Sequence, residues 1–191
     1  MNVFLSVFVA CMLNTVKHAS SVEITKPWKL HYSTSTPEPD LERFLNALVV
    51  KPNDLDPRIL ALSWIESRIR PNIRRGDRGR ACGTFQIHAR YSYPMFTRPK
   101  GFVGWNELDG YHYIRQECKR LENLKYSVKI MKKYLSLMDK KKLHPCHHNS
   151  GFYRKCNPWY KKRLDYWTSF FHFAKTACSI KTKIIEYKHD P

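Results

Sequence analysis

The stretch Ile59–Ile87, ILALSWIESRIRPNIRRGDRGRACGTFQI, decides how this chain is read. Its first part, Ile59 to Ile65, is apolar on most sides, with Trp64 and Leu60 filling the turns between Ile59, Leu62 and Ile65. A helix of that composition is one a globular fold buries. It ends on a carboxylate, Glu66, and opens into a basic loop bearing Gly76, Gly79 and Gly83. Burying a carboxyl disfavours its charged form and raises its pKa, the condition a general acid near neutral pH requires. The ordinary alternative is a surface glutamate paired with Arg68 or Arg70.

Working outward, Asp56-Pro57 is a start signal for that helix, with Pro at a tolerated first-turn position. Upstream, Asp40 caps a helix with an apolar stripe of Leu41, Phe44, Leu45, Leu48 and Val49, broken at Lys51-Pro52-Asn53. Downstream, Gly83-Thr84-Phe85-Gln86-Ile87 alternates like a short strand or turn, and Arg90 to Gly104 reads as a surface wrap. A helical pattern resumes from about Asp109 to Met138, carried by Tyr113, Leu121, Leu124, Val128, Met131, Leu135 and Met138. The Asp139–Lys142 run reads as a solvated end. Asn157-Pro158 opens a last helix with Leu164, Trp167, Phe170, Phe171 and Ala174 inward. With no internal repeat and no strand-rich region, the expected fold is mainly α.

The organisation follows. Residues 1–20 read as a signal peptide or hydrophobic N-terminal segment: Val3 to Leu13 is apolar but too short to span a bilayer, and Ala19-Ser20-Ser21 offers small residues for cleavage. No Lys or Arg precedes the run, so a retained hydrophobic segment is the alternative. Residues 21–39 form an extended arm, 40–178 the folded domain and 179–191 a basic tail. No stable transmembrane span remains after processing.

Cysteine usage agrees with export. With Cys11 inside the apolar run, five cysteines remain and permit at most two bridges, Cys146 with Cys156 preferred and Cys82 with Cys118 or Cys178. His144, Cys146, His147, His148 and Cys156 are ligand types that suit zinc. No CxxC or HExxH spacing accompanies them, so no metal and no cofactor is assigned.

The 191-residue chain suits one domain, and 42% hydrophobic with 14% aromatic residues excludes a mainly disordered one. Thirty-four basic against 16 acidic residues give +18 and call for an anionic partner. A non-catalytic basic module for wall polymer, lipid or nucleic acid is one reading of that charge. The chain carries no zinc-finger, RNP or basic-zipper signature, so nucleic acid is not expected as its main partner.

Glu66-Ser67 after an apolar helix, Gly83-Thr84-Phe85-Gln86-Ile87 seventeen residues on, and His148-Asn149-Ser150-Gly151 further down resemble, in order and spacing, the soluble lytic transglycosylase family, relatives of goose-type lysozyme. The family pattern is a catalytic Glu followed by Ser, a Gly-x-x-Gln-[Ile/Leu] turn, a Tyr-Asn-small-Gly turn and a late helical Tyr. It covers roughly Asp56 to Tyr166, and the loop between Gly76 and Gly83 is similar to phage virion-associated members. The resemblance implies a lysozyme-like domain with a peptidoglycan cleft, acting outside the cytoplasm: secreted, periplasmic or carried in a virion. It implies that Glu66 protonates the glycosidic oxygen between N-acetylmuramic acid and N-acetylglucosamine. The substrate N-acetyl group then shields the cationic centre, and Glu66 takes the C6 hydroxyl proton to give a 1,6-anhydro product. Most glycosidases need two carboxylates; here one suffices.

By the same matching, Ser67 bonds near the acid, Gly83 allows close backbone approach, Gln86 followed by Ile87 orients substrate or braces the Glu66 loop, and Asn149 meets the N-acetyl group. Gly151 suits a turn with positive φ. Tyr160, with Tyr166 as fallback, supplies the late phenol. His148 departs from the family's Tyr and brings a titratable group of its own. Asp77 is a possible second carboxylate that positions a water, which makes a hydrolytic muramidase the runner-up; a salt bridge to Arg74, Arg75, Arg78 or Arg80 is its ordinary role.

Overall fold

A computed structural model describes residues 7–15, 43–46, 55–69, 81–88, 107–150 and 155–189. In chain order these form α1 (7–15), α2 (43–46), α3 (Pro57–Ser67), β1 (Ala81–Cys82), β2 (Ile87–His88), α4 (Glu107–Glu122), α5 (Leu124–Lys140), α6 (His147–Ser150) and α7 (Pro158–His189). The described chain is mostly helical, with one antiparallel two-stranded hairpin pairing Ala81 with His88 and Cys82 with Ile87.

Helix α3 is the core element because it is apolar around its circumference. Every residue from Ile59 to Ile65 is buried. Its start follows from Asp56, whose side chain accepts the Arg58 amide at 2.9 Å, with Pro57 at the first helical position. Arg58 also bridges Asp56 to Asp139 on α5; Asp139 to Lys142 are exposed, the solvated helix end expected. Helix α3 packs chiefly on α7. Trp64 meets Trp167 at 5.6 Å and the edge of Phe171 at 6.5 Å, tilted and edge-on geometries that aromatic quadrupoles favour. Leu164, Trp167, Phe171 and Ala174 are buried and Phe170 half-buried, so the inward stripe expected on the last helix is the one observed. Lys175 donates to the Leu55 carbonyl at 2.8 Å and ties α7 to the entry of α3.

The region expected as one helical run from 109 to 138 is two helices. Asn123 interrupts it: its side chain accepts the Tyr126 amide at 3.2 Å and caps α5. An Asn side chain competes with the helical ladder and favours such a cap. Across this break Tyr126 donates to the buried carboxylate of Glu117 at 2.8 Å, and Arg120 reaches the same carboxylate at 3.2 Å. The last helix continues to His189, where a basic tail from 179 was expected.

The N-terminal apolar segment is part of the core. Phe8 and Met12 are fully buried and Val9 nearly so, and Cys11 is bonded to Cys178 of α7. Together with Cys82–Cys118 and Cys146–Cys156 this makes three bridges among the described residues. The expectation of at most two is thereby corrected; it assumed that Cys11 was lost. No helix among the described residues is long and apolar enough to cross a membrane. The arm at 21–39, the cap at Asp40 and the wrap from Arg90 to Gly104 lie outside the described residues.

Candidate active site

Glu66 occupies the last turn of α3, where the chain reverses abruptly. Arg68 and Ile69 both adopt positive φ, 57° and 64°. Such a conformation is uncommon for any side-chain-bearing residue and an outlier for a β-branched one, costing on the order of 1–3 kcal/mol. It is held by amide bonds from Arg68 to the Trp64 carbonyl (3.2 Å) and from Ile69 to the Ser63 carbonyl (3.1 Å), and by full burial of the Ile69 side chain. The Arg68 guanidinium turns back over Trp64, 4.7 Å from the ring centroid, and donates to its carbonyl.

The hairpin turn beside α3 draws together the residues singled out by sequence, through its three consecutive carbonyls. Gly83 accepts from both the backbone amide and the side-chain amide of Gln86, each at 3.0 Å. Thr84 accepts from the Ser67 hydroxyl at 2.6 Å, and Phe85 from Nε2 of His148 at 2.7 Å. Ser67, Gln86 and His148 thus brace the turn from its two flanks and from within. Gly83 itself is required: its φ is +72°, and a Cβ there would collide with the Leu121 carbonyl oxygen on α4. Ile87 is buried in β2 and takes part in the core. The Phe85 ring fixes the turn from below against Phe44 of α2 at 6.0 Å.

Tyr160, in the first turn of α7, donates its hydroxyl hydrogen to Oε1 of Glu66. The fallback, Tyr166, instead packs edge-on against Trp167 at 5.1 Å. Glu66 is half-buried as a residue, and its carboxyl lies deep. Burial is the largest influence on it and pushes its pKa up; the charge of His148, the Tyr160 hydrogen bond and the charge of Arg163 pull the other way, and burial prevails. Tyr160 is raised well above the usual phenol range by burial first, then by the neighbouring Glu66 charge and bond, so it remains a donor.

Two contributors were not anticipated. Arg163 follows Tyr160 by three positions on α7 and shares its face, a signal that has meaning only once the Tyr160 face is known to front the acid. Tyr134 of α5 meets the His148 ring edge-on at 5.5 Å and donates to the His147 carbonyl at 3.3 Å, walling the imidazole; burial raises its own phenol to about 12. Asn149 lies on α6, and its side chain, like Asp77 and Gly151, lies outside the described residues.

His144, Cys146 and Cys156 bring ligand-type atoms within 4.8 Å of one another. Both sulfurs are bonded to each other, and His144 is engaged by Asp165 at Nε2 (2.7 Å) and by the Cys146 amide at Nδ1 (3.1 Å). The cluster is a structural staple before α7. No protein-family model matches the chain, and comparison with curated proteins and with solved structures gives no match either.

Proposed function

We propose that this chain is a peptidoglycan lytic transglycosylase with a lysozyme-like fold, working outside the cytoplasm on glycan strands of the cell wall. The observation that carries the reading is the desolvated carboxyl of Glu66 with the Tyr160 hydroxyl bonded to it. Burial raises the pKa of this carboxyl, so it keeps its proton to higher pH than an exposed glutamate and can deliver it to a departing glycosidic oxygen. Once Glu66 is ionised, the Tyr160 donor and the nearby charges of His148 and Arg163 stabilise the carboxylate, which then accepts the proton of the C6 hydroxyl as the ring closes. One acid that gives and recovers a proton meets the needs of a mechanism in which the substrate N-acetyl group does the nucleophilic work.

The braced turn at 83–86 and the reversal at Arg68–Ile69 support this reading, because they hold Glu66 on rigid backbone, and a positioned acid is more effective than a mobile one. The charge of +18 draws the protein onto an anionic wall, as steering rather than as specificity. Digestion of purified sacculi followed by mass spectrometry of the released muropeptides tests it. Anhydro ends are expected; products carrying an added water would make the enzyme a hydrolytic muramidase, and no soluble product would remove the wall as substrate.

A further inference from the structure

We propose that Trp159 is an outer glycan-binding platform on the rim of the Glu66 site, an inference that rests on the transglycosylase reading. Trp159 is 69% exposed. An indole offers about 150–250 Å² of mostly apolar surface; a single exposed aromatic is not in itself a site, and it is the position of Trp159 beside the acid that gives it one.

Its position says what it meets. Trp159 directly precedes Tyr160, whose hydroxyl is on Glu66, and successive helical side chains diverge by about 100°. The indole therefore opens on the flank next to the acid-facing side of α7, within reach of a glycan that extends past a sugar bound at Glu66. The other large exposed apolar groups of α7 among the described residues, Phe173 and Ile180, lie about 20 Å or more along the helix from Tyr160 at 1.5 Å per residue and are out of reach of the same few rings.

The platform is built rigidly. Asn157 accepts the amides of Trp159 (2.9 Å) and Tyr160 (3.3 Å) through one side-chain oxygen, and Cys156 just before it is bonded to Cys146. Lys162 shares the Trp159 face at three-residue spacing and is exposed, as is Lys155 ahead of the cap. An N-acetylhexosamine ring presents an apolar C–H face that stacks on an indole, and the carboxylates of a peptidoglycan strand meet the ammonium groups. Bases of single-stranded nucleic acid also stack on aromatic rings beside lysines; continuity with Glu66 and Tyr160 favours the sugar.

The test uses the full chain carrying Glu66→Gln, which binds without cutting, with and without Trp159→Ala, titrated calorimetrically with N-acetylglucosamine dimer and hexamer and with a single-stranded oligonucleotide. Trp159→Ala is expected to weaken hexamer binding about tenfold and leave the dimer and the melting temperature unchanged, with Trp159→Phe retaining most of the affinity. In the active chain Trp159→Ala then raises KM on sacculi with kcat intact. Equal hexamer affinity in both proteins, or weakening confined to the oligonucleotide, overturns the platform while wall lysis by the unsubstituted chain leaves the transglycosylase reading standing. Absence of both glycan binding and lysis overturns both.

Discussion

The Tyr160 hydroxyl donates to Oε1 of Glu66 across 94 positions of sequence, joining the last turn of α3 to the first turn of α7. The bond favours the ionised carboxylate, whereas burial favours the protonated one, and burial is the larger effect. Glu66 is held in opposition between the two, so that small changes around it move its titration.

Replacing Tyr160 with Phe removes the donor and keeps the ring. The pKa of Glu66 then rises further, because one of the influences that lower it is lost. On the proposed mechanism lysis of sacculi needs the protonated acid, so it should persist to higher pH than in the unsubstituted protein, while its plateau falls about tenfold or more as the returning base is less well oriented. A pH–rate profile reads both effects. An unmoved alkaline limb would mean that the bond has no part in tuning the acid.

Glu66→Gln keeps an acceptor for Tyr160 and removes the proton. Lysis should fall by at least about a hundredfold, and the protein should melt at a higher temperature near neutral pH. The sign follows from linkage: the folded-state pKa is above the unfolded one, so between the two the folded state binds more protons, and stability falls as pH rises through that window. Gln has no such dependence. The gap in melting temperature should therefore widen as pH rises from about 4 through the raised folded-state pKa, and calorimetry across that range would detect a gap that stays constant or reverses.

Gly83→Ala tests the turn. The added Cβ meets the Leu121 carbonyl, part of helical backbone that cannot swing aside, and the positive φ adds strain. Destabilisation should exceed about 1 kcal/mol, and lysis should fall with it because Ser67 and His148 are bonded to the same turn. Urea midpoints and a lysis assay on the folded variant separate the two losses; a neutral substitution would show that α4 yields.

Much of this arrangement is legible in the residues, and the illegible parts have physical reasons. Helix α3 is readable because a segment apolar on all sides between Asp56-Pro57 and a glycine-bearing loop has few other solutions. Glu66, Gly83, Gln86, His148 and Tyr160 are nominated by the family resemblance, but Ser67 and His148 bond to carbonyls of the turn, and a backbone acceptor leaves no mark on the side chains that find it. The break at Asn123 is masked because apolar residues at Leu121 and Leu124 keep helical spacing through it. Arg163 is one basic residue among 34 until the facing carboxyl is located.

The N-terminal segment is the case where composition alone does not decide, since a leader and a buried core helix are built from the same apolar residues. Phe8 and Met12 are fully buried, and Cys11 is bridged to Cys178 across 167 residues. A chain that lost residues 1–20 would open the core at those two side chains and strand Cys178 as a thiol. Cys11→Ser paired with Cys178→Ser should therefore cost about 2–5 kcal/mol, the range for a bridge that closes a long loop, and deleting residues 1–15 should cost more, because the apolar contacts go with it. Non-reducing peptide mapping of the purified full chain should find Cys11 linked to Cys178. A mature chain that begins after Cys11, folds with an alkylatable Cys178 and melts where the full chain does would show that α1 is dispensable and that the segment acts only as a leader.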